Sequence, residues 1–341
     1  MFEDFKVFET EVAGRKLSIE TGKMAQLANG AVLVRYGETN VLCTATMSDK
    51  PREGVDFFPL SVDFEEKLYS VGKIPGSFQR REGKASEKAV LASRVIDRPI
   101  RPLFPKDMRN DVSVVATVMS VDPDCSPEIA AMWGVSTALA ISEIPWDGPV
   151  SSVSLGLVDG KYVINPTLEE RAKTEMTVTV ASTDSLVAMI EAGANEVSNE
   201  VMFDGIMFAH EENKKIVEFI KGIAKEIGKE KIPFESNDPS EELYNAVKEL
   251  AIDDVKAALD TDDKRIRDER LRPVYDRVHE ELDEKFPEEA AKIDDCLYKL
   301  QKYIVRRWLL DEGKRVDGRG LDEIRPLNAQ IDLLSRVHGS G

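Results

Sequence analysis

The order in which hydrophobic periods follow one another constrains this chain most: β-type patterns dominate its first part and helix-spaced patterns its last. Val7, Glu9 and Glu11 alternate with Phe8, Thr10 and Val12, and Ala13-Gly14 offers a turn into 15–20. Residues 31–36 meet 40–46 across Gly37-Glu38-Thr39, a short hairpin connection. A further strand is predicted over 57–66, a near-continuous β-rich run over 112–121, and more strands over 153–158, 161–164, 176–181 and 185–192, divided by Asp159-Gly160 and polar turns. Helical spacing begins at Ser86, with Ala89, Val90, Ala92 and Ile96 predicted to face inward and Pro99 to end the helix. Residues 126–142 read as an apolar helix whose small side chains, among them Ala130, Ala131 and Ala138, permit close packing on a sheet. Ser198 caps a long helical region through Ile227. Strands followed by helices predict an α+β domain of about 230 residues.

The remainder reads as helix. Asp238-Pro239-Ser240-Glu241 looks like a helix start, with Asp238 as cap, Pro239 at the first position and Glu241 three residues on. Leu243, Val247, Leu250, Ala251, Val255 and Leu259 follow at helical spacing. A second helix is predicted over 270–282 and a third over 287–311, with Ile293, Leu297, Leu300, Ile304 and Trp308 inward and Gly313 as its stop. Over 211–300 there are 26 acidic and 17 basic residues, about half of the chain's excess of −17, so this part forms an acidic helical layer.

At 341 residues and 42% hydrophobic content the chain exceeds one typical domain. No window approaches about 18 uninterrupted apolar residues, and Met1-Phe2-Glu3-Asp4 lacks the regions of a signal peptide, so a soluble, intracellular protein without membrane contact is expected. Cys43, Cys125 and Cys296 are far apart, without C-x-x-C spacing, and the chain has three histidines; neither disulfides nor structural zinc are expected.

Against this acidity stands a cationic island. Gly76-Ser77-Phe78-Gln79-Arg80-Arg81-Glu82-Gly83 is followed by Ile96-Asp97-Arg98-Pro99-Ile100-Arg101-Pro102-Leu103-Phe104-Pro105, and positions 80–101 carry a local charge of +4. Arginine forks match the oxygens of phosphate, which makes RNA backbone the first candidate. A negative body would direct RNA to such an opening, although acidity also serves solubility alone. Arg94 and Arg98 lie four apart on one helix face with Arg101 just beyond, and Asp97 and Glu87 are available to pair with them.

Phe57-Phe58-Pro59-Leu60, the 76–83 loop, the 96–105 segment, Ala130-Ala131-Met132-Trp133-Gly134 and Ile164-Asn165-Pro166-Thr167 together resemble the N-terminal half of bacterial polynucleotide phosphorylase. The resemblance spans the chain. It implies a first ribonuclease PH-like core over 1–235, an all-helical linker domain over 236–315, and over 316–341 the start of a second core, resembled by Lys314-Arg315-Val316-Asp317-Gly318-Arg319-Gly320 and Ile324-Arg325-Pro326-Leu327. So few residues cannot fold a domain, so the chain is expected to be a fragment of a longer protein.

For that longer protein the resemblance implies a cytoplasmic homotrimer that degrades single-stranded RNA from its 3′ end in mRNA turnover. Inorganic phosphate is the co-substrate, nucleoside diphosphates are released, and Mg²⁺ is held by an Asp pair in the second core. The matching stretch here, 162–171, contains no aspartate; Glu169 and Glu170 are read as adjacent strand residues that diverge, with Arg171 opposing a metal. No catalytic residue and no metal site are therefore expected in this fragment. The resemblance implies that the 76–83 loop lines the narrow entrance of a ring, where Phe78 stacks on a base and Arg80 and Arg81 contact phosphates, with Gln79 where many relatives carry a second aromatic residue. Arg94, Arg98, Arg101 and Arg319 complete the candidate RNA contacts, Arg319 having Asp317 and Asp322 nearby; His210 and His279 are given no catalytic role. The alternative is a non-catalytic RNA-binding and ring-assembly module.

Overall fold

A computed structural model describes residues 4–52, 54–234 and 236–341. The chain separates into two compact units, Met1–Asn237 and Asp238–Gly341.

In the first unit, β1 (Lys6–Val12), β2 (Arg15–Thr21), β3 (Gly30–Tyr36) and β4 (Thr39–Pro51) form successive antiparallel hairpins, as their alternation predicts. The β3–β4 turn needs Gly37: its φ is +55°, and a Cβ there would lie 2.6 Å from Cys125 Sγ. β5 (Leu60–Glu66) leads through α1 (Glu87–Ile100) to β6 (Asn110–Ser120), and β5 and β6 pair in parallel, giving a six-stranded sheet of order β1-β2-β3-β4-β6-β5. β5 starts three residues later than predicted because the Phe57–Pro59 stretch is not paired as strand.

α2 (Pro127–Ile141) follows, and it is buried nearly all round. A Cβ on Gly134 would lie 2.5 Å from Cys43 Sγ and 2.8 Å from Val34 Cγ2, so the helix lies directly on the first sheet. Trp133 packs edge-on to Tyr36 at 5.0 Å and donates its indole N–H to Ser152 O at 2.8 Å, a carbonyl of the second sheet. That sheet comprises β7 (Ser151–Val158), β8 (Lys161–Ile164), β9 (Met176–Ser182) and β10 (Val187–Ala194) in the order β10-β9-β7-β8. α3 (Leu168–Lys173) connects β8 to β9, and α4 (Asn199–Ile227), capped by Ser198, covers β7 and β9. The α+β class follows from these layers.

Two details of α1 differ from expectation. Val90 is 48% exposed, because the buried stripe runs through Ala89, Ala92, Ile96, Pro99 and Ile100. Pro99 lies inside the helix, which continues one residue further and passes into a 3-10 turn at Arg101–Leu103. A proline this close to the end removes one backbone donor while leaving the final cap bond, Arg101 N–H to Asp97 O, in place.

The second unit comprises α5 (Glu241–Leu259), α6 (Lys264–Leu282) and α7 (Ile293–Arg307) around one apolar core. Ser240, not Asp238, caps α5: its hydroxyl accepts from Leu243 N–H at 3.2 Å. α6 begins earlier than predicted, at an Asp263 cap whose carboxylate accepts from Arg265 and Ile266 N–H, and α7 begins later, after a 3-10 turn at Ala290–Lys292. A wide turn at Trp308–Glu312 then ends on Gly313, left-handed at φ +62°. Among the described residues no helix is long and apolar enough to cross a membrane.

Candidate nucleic-acid interface

The connection from β5 to α1 carries the basic loop, and a few polar contacts hold its base. Glu82 accepts from Leu68 N–H at 3.0 Å; Ser86 donates to Glu66 at 2.7 Å and caps α1 by accepting from Ala89 N–H at 3.0 Å. At the tip, Ser77 Oγ donates to Arg81 O at 3.3 Å and Arg80 takes a left-handed φ of +54°. Phe78 is fully exposed and Gln79, Arg80 and Arg81 are exposed beside it. Arg80 reaches only Pro75 O, at 3.4 Å; the side chains of Arg81 and Lys84 make no hydrogen bond or ion pair among the described residues.

The arginines of α1 are treated differently. Arg94 is exposed and without such a partner among the described residues, whereas Arg98 donates to Glu191 on β10 at 2.5 Å and to Ile190 O at 3.4 Å. Arg101 forks onto both oxygens of Asp97 at 2.8 and 2.7 Å and also reaches Phe58 O and Leu60 O at 3.4 and 3.2 Å, tying the end of α1 to the start of β5. Arg319, in the second unit, is forked onto Asp317, whose carboxyl the Arg319 and Arg315 guanidinium groups hold far below the usual range.

Behind the loop lies a cleft of about 880 Å³ with both signs of charge on its walls, among them Glu65, Glu66, Glu82, Lys84, Lys88 and Arg171. Sequence reasoning missed its acidic wall. Glu128, at the first turn of α2, accepts from Ser126 at 2.6 Å and pairs with Lys88 at 3.2 Å. Burial alone would raise its carboxyl, but the Ser126 hydroxyl and the Lys88 ammonium hold it below the usual carboxylate range.

The Ile164-Asn165-Pro166-Thr167 motif is a structural lock. Asn165, at φ +48°, donates to Tyr36 Oη at 3.3 Å and accepts from Ser154 N–H at 2.9 Å; Arg15 lies 5.1 Å from the Tyr36 ring centre and donates to the carbonyls of Asn165 and Asp124. Thr167 caps α3 in a capping box with Glu170, so Glu169 and Glu170 sit on a helix and not on the strand expected for them. Glu170 is committed to Thr167, Glu169 pairs with Lys173 at 2.5 Å, and Arg171 donates to Pro123 O. His210 is buried, and His279 bridges Asp283 and Asp294 at 2.8 and 3.1 Å.

The first unit matches the family model "3′ exoribonuclease family, domain 1" over residues 13–145 and "3′ exoribonuclease family, domain 2" over 148–212. Residues 242–320 match "polyribonucleotide nucleotidyltransferase, RNA binding domain". The curated polyribonucleotide nucleotidyltransferase of Ruminiclostridium cellulolyticum is 58% identical over 99% of this chain and 48% of its own length. That of Caldicellulosiruptor bescii is 55% identical over 98% and 48%, and that of Clostridioides difficile 52% identical over 100% and 49%. The chain belongs to the polyribonucleotide nucleotidyltransferase family. It spans about half the length of the curated relatives it matches, corresponding to their N-terminal half. A solved rice (Oryza sativa) structure overlaps 66% of this chain with a TM-score of 0.49 at 14% identity, a likeness too slight to extend the assignment.

No group of three or more His, Cys, Asp or Glu side chains among the described residues is placed to hold a metal ion, and Glu169 and Glu170 are engaged by Lys173 and Thr167.

Proposed function

We propose that this chain supplies the RNA-guiding half of a phosphorolytic 3′→5′ exoribonuclease that uses inorganic phosphate to release nucleoside diphosphates from single-stranded RNA. In this reading 1–235 is the first ribonuclease PH-like core, 236–315 the helical linker and 316–341 the start of the second core. The whole protein is a cytoplasmic homotrimer whose Mg²⁺ and catalytic aspartates belong to the second core.

One observation carries the reading for this chain: the tip at 77–81 presents a fully exposed Phe78 beside Arg80 and Arg81, neither of which is neutralised by a carboxylate among the described residues. Stacking on an aromatic face is sequence-tolerant, and phosphate contacts read no base, so such a tip grips any single strand and lets it slide. Arg94 is available to the same strand, whereas Arg98 would first have to exchange Glu191, and Arg101 both oxygens of Asp97. The engagement of Glu169 and Glu170 favours binding and ring assembly, without chemistry, as the role of this half alone.

The test is release of nucleoside diphosphate from a 3′-labelled oligoribonucleotide with phosphate and Mg²⁺, run beside binding of the same RNA to wild type and Arg80→Ala/Arg81→Ala. No release, with binding weakened by the double substitution, is expected. Release by this chain would place a working site in the first core and overturn the division of labour.

A further inference from the structure

Glu82, Glu87 and Asp97 are the acids within the cationic stretch at 80–101, and two of them have an evident local task. Glu87 opens α1, where a helix N-terminus favours negative charge, and Asp97 holds Arg101 at 2.7 Å. Glu82 follows Arg81 directly, so it sets a carboxylate beside the phosphates that the tip is read to grip, where like charge repels. Among the described residues it forms no salt bridge with Arg80, Arg81 or Lys84. Its carboxylate instead accepts from Leu68 N–H at 3.0 Å, 14 residues back along the chain.

The Leu68 end of that bond is itself fixed. Leu68 begins a 3-10 turn, Leu68–Val71, which ends on Gly72 at φ +70°, and Ser70 O within the turn accepts from Val121 N–H at 3.2 Å, just past the end of β6. Glu82 therefore ties the residue next to Arg81 to a turn that the first sheet holds. A second closure lies below it, where Ser86 and Glu66, 20 residues apart, meet at 2.7 Å. Connections longer than about 12–15 residues with so little regular structure are uncommon in compact domains. Closing the neck at two levels removes much of the freedom that such a length would give the tip, and freedom lost in advance is not lost again when a ligand is gripped.

We propose that Glu82 is a positioning residue: by closing the neck of the 68–82 loop it fixes where Phe78, Arg80 and Arg81 stand, although its charge opposes the polyanion they would hold. This role rests on the reading of the tip as an RNA grip.

The two roles open to this carboxylate call for opposite responses to its removal. A merely misplaced charge would make Glu82→Ala and Glu82→Gln both bind RNA more tightly. A neck needs the acceptor and not the charge. Glu82→Ala should then weaken binding of an unstructured oligoribonucleotide about fivefold, measured on the full chain by fluorescence anisotropy. Glu82→Gln, whose amide oxygen still accepts from Leu68 N–H, should bind at least as tightly as wild type. The salt slope should stay unchanged in Glu82→Ala, since no phosphate contact is removed, whereas Arg80→Ala/Arg81→Ala should lower it by about 1.4, about 0.7 for each contact to a single strand. Without RNA, tryptic cleavage after Lys73, remote from the substitution, should be several-fold faster in Glu82→Ala and unchanged in Glu82→Gln. Melting temperatures should barely move, because the contact is exposed. Equal or tighter binding by Glu82→Ala, a loss in Glu82→Gln as large as in Glu82→Ala, or unchanged cleavage overturns the proposal. Unchanged affinity in Arg80→Ala/Arg81→Ala overturns the reading of the tip itself, and with it the role of Glu82 toward RNA, even where cleavage shows the neck to be real.

Discussion

Arg80 and Arg81 stand at the tip of a loop whose other groups they scarcely touch, whereas Arg98 and Arg101, at the far end of α1, are held by Glu191 and Asp97. All four belong to one cationic stretch in the sequence. What separates them is the presence of an acceptor: α1 brings its last turns against β10 and the start of β5, while the exposed tip of the loop meets no carboxylate among the described residues. A guanidinium already forked onto a carboxylate must give up those bonds before it can bind phosphate, and an unpaired one need not.

The largest effect expected from this difference is on RNA. Phe78→Ala/Arg80→Ala/Arg81→Ala should lower affinity for an unstructured oligoribonucleotide about a hundredfold, from a lost stack and lost phosphate contacts, with the melting temperature nearly unchanged. Equal losses of affinity and stability would erase the contrast between tip and helix. Arg101→Ala should do the reverse, costing about 2 kcal/mol of stability by chemical denaturation, because it removes a charged fork and two carbonyl contacts, with little change in RNA affinity per folded molecule. A strong loss of affinity there would move Arg101 into the binding group. Arg98→Ala should cost less, under about 1 kcal/mol, since both partners of its pair are about half exposed.

The smallest effect tests the same principle in the helical unit. Hydrogen bonds to Asp294 and Asp283 raise the His279 imidazole above its ordinary value of 6.5. The stability this contributes is fully present below that value and is lost as pH rises through the folded one. Melting of this unit should therefore weaken from pH 6 towards 8, and His279→Gln should flatten that slope; an unchanged slope would show that the histidine is not paired in solution.

Much of the fold was legible because it is locally encoded. The β1–β4 hairpins follow from alternation and short turns, the small residues of α2 announce a helix pressed onto a sheet, α1 begins just after Ser86, where helical spacing starts, and Ser198 caps α4 as expected. Errors fell where two local signals compete. Asp238 and Ser240 are both capping residues, and only Ser240 places its hydroxyl on the third residue's N–H. Thr167 and Glu170 spell a capping box, so the strand expected through Glu169 stops at Ile164 and α3 begins in its place.

The candidate interface was half legible. Charge and an aromatic residue in one loop are visible in a string of letters, and so is the acidic background that makes them stand out. Which arginine is free is not visible there: Glu191 lies 93 residues from Arg98, and Asn165 lies 150 from Arg15.

The sequence by itself determined the periods, the caps, the cationic loop and the family, since each depends on neighbours within a few residues or on a motif read in order. Tertiary structure alone decided the parallel pairing of β5 with β6 and the commitment of Arg98 to Glu191 and of Arg15 to the Asn165 carbonyl. The reason is physical: a charge's role is set by the nearest opposite charge in space, and chain folding, not chain order, determines which that is.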